Sequence, residues 1–264
     1  HLINITLPID PWFSAEVRYF EEEKKLHRVF FHPSTGEYLG DGRWYNWQRF
    51  FRQAHRHLML PTIIGITIVG LLGVLMFVSL VSSLYIYNRW WTGFFRWPRT
   101  QNRKFFWGDI HRLLGVWSIW FVLIISVTGI WYLAEVWGLR GTLPSKGKPI
   151  SELALTEPTL PSVDGFSTMW EHTKTHYPDL ELKSVYFPQR KGQVVQFQGQ
   201  ASAILVRERA NIATFDPVSN ELLVMTRGEE LSALTRVSEA ADPLHFGTFG
   251  GLPTKLLYFV FGIV

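Results

Sequence analysis

The chain has 264 residues, of which 47% are hydrophobic and 16% aromatic, with a formal net charge of +4 and no cysteine. A mean hydropathy near zero is too apolar for an ordinary soluble domain and too polar for a bundle wholly in lipid, so a part-membrane, part-soluble chain is expected. The missing cysteines exclude disulfides, thiolate zinc sites, cysteine-ligated iron–sulfur clusters and the Cys-x-x-Cys-His attachment of c-type haem.

Residues 1–47 read as strands and turns. Within them Val29-Phe30-Phe31-His32-Pro33-Ser34-Thr35-Gly36-Glu37-Tyr38-Leu39 spells strand, a Pro and Gly turn, then strand. His27 and His32 flank a strand with no expected chemistry, and Glu21-Glu22-Glu23-Lys24-Lys25 reads as a solvated turn rather than a cation site. His55 and His57 then precede Leu60–Tyr87, 28 residues without a charge. At 1.5 Å per residue this run is ample for a hydrocarbon core of about 30 Å.

The next segment, Asn88–Lys104, carries Arg89, Arg96, Arg99, Arg103 and Lys104 against no acidic residue. Short basic loops stay in the cytoplasm. The flanking regions hold 8 Lys/Arg against 7 Asp/Glu over residues 1–57 and 11 against 13 over residues 138–244, and are expected outside. The net charge is therefore mostly this loop, and no nucleic-acid partner is expected. Trp90, Trp91, Trp97 and Trp107 around it fit an interfacial aromatic belt. Leu113–Ala134, 22 uncharged residues, gives a second span, headed by Asp109, His111 and Arg112.

Residues 138–241 return to soluble text, with a helix predicted over Val163–Tyr177 and strands near Leu182–Phe187, Val194–Gln198 and Ala203–Arg207. A second hairpin, Ala213-Thr214-Phe215-Asp216-Pro217-Val218-Ser219-Asn220-Glu221-Leu222-Leu223, echoes the first, so a small α+β unit used twice is expected. His172 and His176 are an i, i+4 pair without the glutamate of the zincin pattern and read as a solvated helix face. His245 heads a last apolar run, Leu252–Val264, too short to cross a bilayer. Both ends of the sequence are expected to be excerpt boundaries, with further membrane helices on either side.

Three histidines, His55, His111 and His245, thus stand at the mouths of apolar segments, where lipid supplies no polar partner and imidazole is the commonest transition-metal ligand. Two of them share the text His-Arg-x-Leu, in His55-Arg56 and His111-Arg112. With thiolates absent, non-covalent haem is the redox-metal group that survives. The charge topology puts His55 and His245 at the outer face and His111 at the inner one. A low-spin haem takes two axial ligands from facing helices, so His55 with His245 would hold an outer haem. His57, on the other side of its helix, is the alternative ligand. His111 would need a fourth histidine from a helix outside this sequence. Arg56 and Arg112 could pair with haem propionates or snorkel to water. No G-x-G-x-x-G or P-loop is present, which leaves nicotinamide or ATP use unsupported.

The segments Phe51-Arg52-Gln53-Ala54-His55-Arg56-His57-Leu58, Phe106-Trp107-Gly108-Asp109-Ile110-His111-Arg112-Leu113-Leu114-Gly115-Val116-Trp117 and Pro243-Leu244-His245-Phe246-Gly247-Thr248-Phe249-Gly250-Gly251, with the repeated hairpins, resemble the PepSY-associated transmembrane family, and within it the bacterial inner-membrane ferrisiderophore reductases. The resemblance implies a membrane α-helical bundle of four helices in the full protein, two complete and one partial here, with two small α+β PepSY-like periplasmic units. It divides the chain into a PepSY-like part (1–47), a transmembrane helix with a periplasmic histidine start (48–87), the basic cytoplasmic loop (88–104), a transmembrane helix with a cytoplasmic histidine start (105–137), a second PepSY-like unit (138–241) and the start of a further transmembrane helix (242–264). It further implies two b-type haems in the full protein and reduction of ferric siderophore in the periplasm. The electron donor, quinol or a cytoplasmic reductase, is unknown. Alternative readings are a cytochrome passing electrons between quinol and a periplasmic protein, and a non-enzymatic PepSY sensor or peptidase regulator.

Overall fold

Alternating apolar residues in eight short segments build one antiparallel sheet. The computed structural model describes residues 1–8, 10, 12–21 and 25–263; Glu22, Glu23 and Lys24 of the charged turn lie outside the described residues. Two units divide the chain, residues 1–50 with 141–239 and residues 51–140 with 240–264.

In the first unit the strands are β1 (Leu2–Thr6), β2 (Ala15–Phe20), β3 (Leu26–Phe31), β4 (Tyr38–Gly42), β5 (Glu181–Tyr186), β6 (Val195–Gln200), β7 (Asn211–Phe215) and β8 (Leu222–Thr226). Their order across the sheet is β4-β3-β2-β1-β5-β6-β7-β8. The sequence predicts two separate small units; the chain instead joins them through β1 and β5, which removes the exposed edge each would otherwise present. A local two-fold relates the halves. It passes through the Ile5–Val185 pair, flanked by Asn4–Tyr186 and Thr6–Ser184. Register shifts fall at matching places, Leu2/Asn4 and Leu182/Ser184, then Phe30/Phe31 and Thr214/Phe215.

The two echoing hairpins turn in the same way. Asp216 Oδ1 accepts the N–H groups of Val218 and Ser219 at 2.8 and 3.0 Å, and His32 Nδ1 accepts those of Ser34 and Thr35 at 3.3 and 3.2 Å. Gly36 and Asn220 then take the left-handed conformation, φ +71° and +63°, that such turns favour. His32 therefore has a structural role. Helix α6 (Val163–His176) starts at Ser162, whose hydroxyl accepts the Gly165 N–H. It covers the second half of the sheet with Phe166, Met169 and Trp170, spaced for one helix face, against Phe197, Val195 and Phe215. The predicted strand over Ala203–Arg207 is absent. Leu205 is left-handed, φ +58°, and Ala203 and Val206 bury instead in a small cluster with Ala210 and Leu231. One face of β6 pairs with β5 and the other with β7, so no place in the sheet remains there.

The second unit holds the two helices long and apolar enough to cross a membrane, α2 (Thr62–Ile86) and α4 (Ile119–Val136). They pack antiparallel through small residues. A Cβ on Gly70 would lie 2.7 Å from Leu133 Cβ, and one on Gly73 would sit 3.7 Å from Ser126 O and the Gly129 carbonyl carbon. Close backbone approach of this kind is how helices associate in lipid.

The sequence predicts that each histidine-bearing segment runs on into its span; the first and the third do not. Helix α1 (Trp47–His57) is separated from α2 by Leu58 and Met59, both left-handed at φ +53° and +59°, and by Pro61, which disfavours helix at the residue before it. Helix α3 (Arg103–Trp117) continues into α4 through Ser118, which stays in the right-handed helical region at φ −85° and ψ −3°, donates to Leu114 O and accepts from the Val122 N–H, each at 2.9 Å. Helix α7 (Ala233–Phe246) is separated from α8 (Gly251–Ile263) by Gly247 and Gly251, φ +63° and +65°. At Gly247 a side chain is also excluded by the Tyr258 ring, 2.5 Å from where its Cβ would be. Among the described residues the remaining α-helix is α5 (Glu152–Thr156), one short turn.

Candidate functional site

His55 and His245 come together. Both lie in the last turn of their helices, α1 and α7, and their rings stand 6.1 Å apart, centre to centre, tilted by 43°. Two imidazoles bonded on opposite sides of one metal at about 2 Å each have ring centres about 6 Å apart. The spacing leaves room for a metal between them.

His245 is half-buried and held from several sides. Its Nδ1 lies 2.8 Å from Thr128 Oγ1 in α4. The Tyr132 ring meets it edge-on at 5.3 Å, and Phe246 does so at 5.5 Å. The Tyr132 hydroxyl donates to Asp242 Oδ1 at 2.6 Å, which ties α4 to α7 one turn before the histidine. His55 is exposed, and the chain behind it is set by a close contact. A Cβ on Gly65 of α2 would fall 2.0 Å from the His57 carbonyl oxygen, so only glycine lets the start of α2 lie against the end of α1.

The other predicted residues sit apart from this pair. His57 is half-buried, with its Nδ1 lacking a hydrogen-bond partner, and Arg56 is exposed. His111 is exposed on α3, and from His111 to Thr128 the helical rise amounts to about 25 Å. Arg112 has a partner of its own. Buried Asp109 accepts from Arg112 Nη2 at 2.5 Å, and from Arg99 Nε and Nη2 at 2.8 and 3.1 Å and its backbone N–H at 3.1 Å. Asp109 thus binds the basic loop to α3 beside His111. His172 and His176 stack at 5.6 Å on an exposed helix face, and His176 Nδ1 lies 2.9 Å from the His172 carbonyl oxygen. His27 pairs with Glu21 at 3.0 Å.

Sequence reasoning missed Thr128, Tyr132 and Asp242. A buried threonine inside an uncharged span, and an acid one helical turn before a candidate ligand, were the signals available. Among the described residues no group of three or more His, Cys, Asp or Glu could hold a metal ion. A bare ion would find too few ligands, whereas haem brings four of its own and asks the protein for two; the donor set fits that group. The family model described as "PepSY-associated TM region" matches residues 5–264. No curated protein matches the chain.

Proposed function

The chain belongs to the PepSY-associated TM region family, and from that membership together with its paired histidines we propose that it is a haem-b oxidoreductase of the bacterial inner membrane that reduces ferric siderophore in the periplasm. The observation that carries the reading is the 6.1 Å spacing of the His55 and His245 rings, at the end of a span pair whose connecting loop is basic. When bound, haem supplies the one-electron couple. His55 and His245 would hold one such group, and His111, on the far half of the span, would be a ligand to a second. Arg56 is available to a propionate; Arg112 is committed to Asp109 and orients α3.

The basic loop stays on the cytoplasmic side and the sheet unit lies in the periplasm. Haem held on both halves of a span of about 30 Å would supply two one-electron centres, an arrangement suited to passing electrons from one membrane face to the other. The substrate is Fe(III) wrapped by oxygen donors. One electron makes it Fe(II), a softer and less charged ion that such donors hold far less tightly, so reduction becomes release.

The test is spectroscopic. Full-length protein purified from membranes should show a Soret band, and dithionite-reduced haem should be reoxidised rapidly by a ferric hydroxamate siderophore. Reoxidation by quinone but by no siderophore favours the quinol cytochrome, and absence of the Soret band favours a sensor. His55→Ala and His245→Ala should lose the same haem, His111→Ala the other, and His57→Ala neither.

A further inference from the structure

Thr128 is 4% exposed in the middle of a membrane-length helix, and its hydroxyl has three partners within hydrogen-bond distance. Ile124 O at 2.7 Å and Ile125 O at 3.1 Å are both placed to accept its hydrogen, the back-bonds that threonine commonly makes in a helix. With the hydrogen on either carbonyl, the hydroxyl oxygen accepts from His245 Nδ1, 2.8 Å away. That arrangement puts hydrogen on Nδ1 and leaves a lone pair on Nε2. Tyr132 and Asp242 then fix where the ring stands, through the edge-on contact at 5.3 Å and the 2.6 Å hydrogen bond. Among the described residues His55 has no hydrogen-bond partner of this kind.

We propose that Thr128 is a positioning residue that selects the His245 tautomer and sets its donor strength toward a bound metal by accepting the Nδ1–H; this rests on the haem-ligand reading above. An acceptor on one imidazole N–H makes the opposite nitrogen a stronger donor, which favours the oxidised metal. A hydroxyl is a neutral acceptor, so the effect is weaker than a carboxylate would give in the same place.

Thr128→Val keeps the shape and removes the acceptor, and Thr128→Ser restores it. Both haems should remain in each variant. In Thr128→Val the midpoint potential of the His55/His245 haem should shift upward, with a change in its electron paramagnetic resonance signal, and in Thr128→Ser both should return toward wild type while the second haem stays unmoved. Nitrogen-15 shifts of His245 in haem-free wild-type protein should report hydrogen on Nδ1. Two bound haems with an unmoved potential, a serine variant displaced as far as the valine one, or a wild-type His245 protonated on Nε2 overturn this proposal alone; the last measurement decides even if the valine variant does not fold. A wild-type protein that binds no haem overturns the oxidoreductase reading and this proposal with it.

Discussion

On the proposed haem-ligand reading, Gly65→Ala should uncouple the His55/His245 site from the rest of the molecule. The added Cβ would stand 2.0 Å from the His57 carbonyl oxygen and 2.6 Å from its carbonyl carbon and Cα. Contacts to a real Cβ are essentially never under 3.0 Å, so the end of α1 must retreat from α2 by about 1 Å. That exceeds the roughly 0.5 Å within which a ligand constellation tolerates displacement. The intervening turn cannot absorb it cheaply, because Leu58 and Met59 already occupy left-handed backbone and Pro61 is fixed in φ. Overpacking of this kind costs about 1–3 kcal/mol. The expected result is a protein with a modestly lowered melting temperature that has lost or spectrally altered the His55/His245 haem and kept the His111 haem. Haem quantification by pyridine haemochrome, with a detergent melting curve, reads both. An alanine variant with two unaltered haems and wild-type stability would refute the reasoning, since the close approach would then not set the position of His55.

Asp216 should be a stability hub of the sheet unit. It is fully buried and accepts from Ser151 Oγ and from the N–H groups of Ile150, Ser151, Val218 and Ser219. Asp216→Ala strands these donors and should cost about 3 kcal/mol or more. Burial pushes the Asp216 carboxyl up, but these donors outweigh it and hold it well below the usual carboxylate range. A depressed value means that the stabilisation is complete above about pH 4 and is lost as pH falls through the lower folded value; the melting-temperature gap between wild type and Asp216→Ala should be constant from pH 7 to 5 and shrink in stronger acid. Asp109→Ala frees Arg99 and Arg112 and should lower occupancy of the His111 haem while sparing the other, by about 1–3 kcal/mol because Arg99 is half-exposed; haem counts decide. Gly70→Leu should separate α2 from α4 and lower the detergent melting point, whereas Gly129→Ala, with nothing within 4 Å of its Cβ, should leave it unchanged.

The features legible in the sequence are those with a local code. Two uncharged runs gave α2 and α4, the Pro and Gly or Asn turns gave the β3–β4 and β7–β8 hairpins, and the 3.6-residue period gave α6 within a residue. What was not legible is either non-local or carried by unremarkable residues. Leu58 and Met59 are not helix breakers by type, yet the chain breaks at them. The joining of the sheet through Ile5 and Val185 brings together residues whose own neighbourhoods say nothing of it. Thr128 and His245 are separated by 117 positions, and only the packing of α4 against α7 makes them partners.

The helix breaks change the chemistry of the site as well as its outline. Histidines at the heads of spanning helices would sit at the positive end of the helix dipole, which disfavours a cationic metal. In the structure His55 and His245 occupy the last turns of α1 and α7, where unsatisfied carbonyls carry partial negative charge. Each helix end then contributes about 0.3–1 kcal/mol in favour of positive charge, and the two act on the same centre. On the proposed reading, a ferric haem held here would bear one more positive charge than a ferrous one, so both termini and the proposed Thr128 hydrogen bond would push in one direction, toward a low potential. A low potential is what a donor needs if its electron is to pass to Fe(III) held tightly by oxygen ligands, because such ligands stabilise the oxidised ion and lower its potential too. Moving His245 from the end of α7 to the start of α8 would therefore weaken the reductant even with ligation intact.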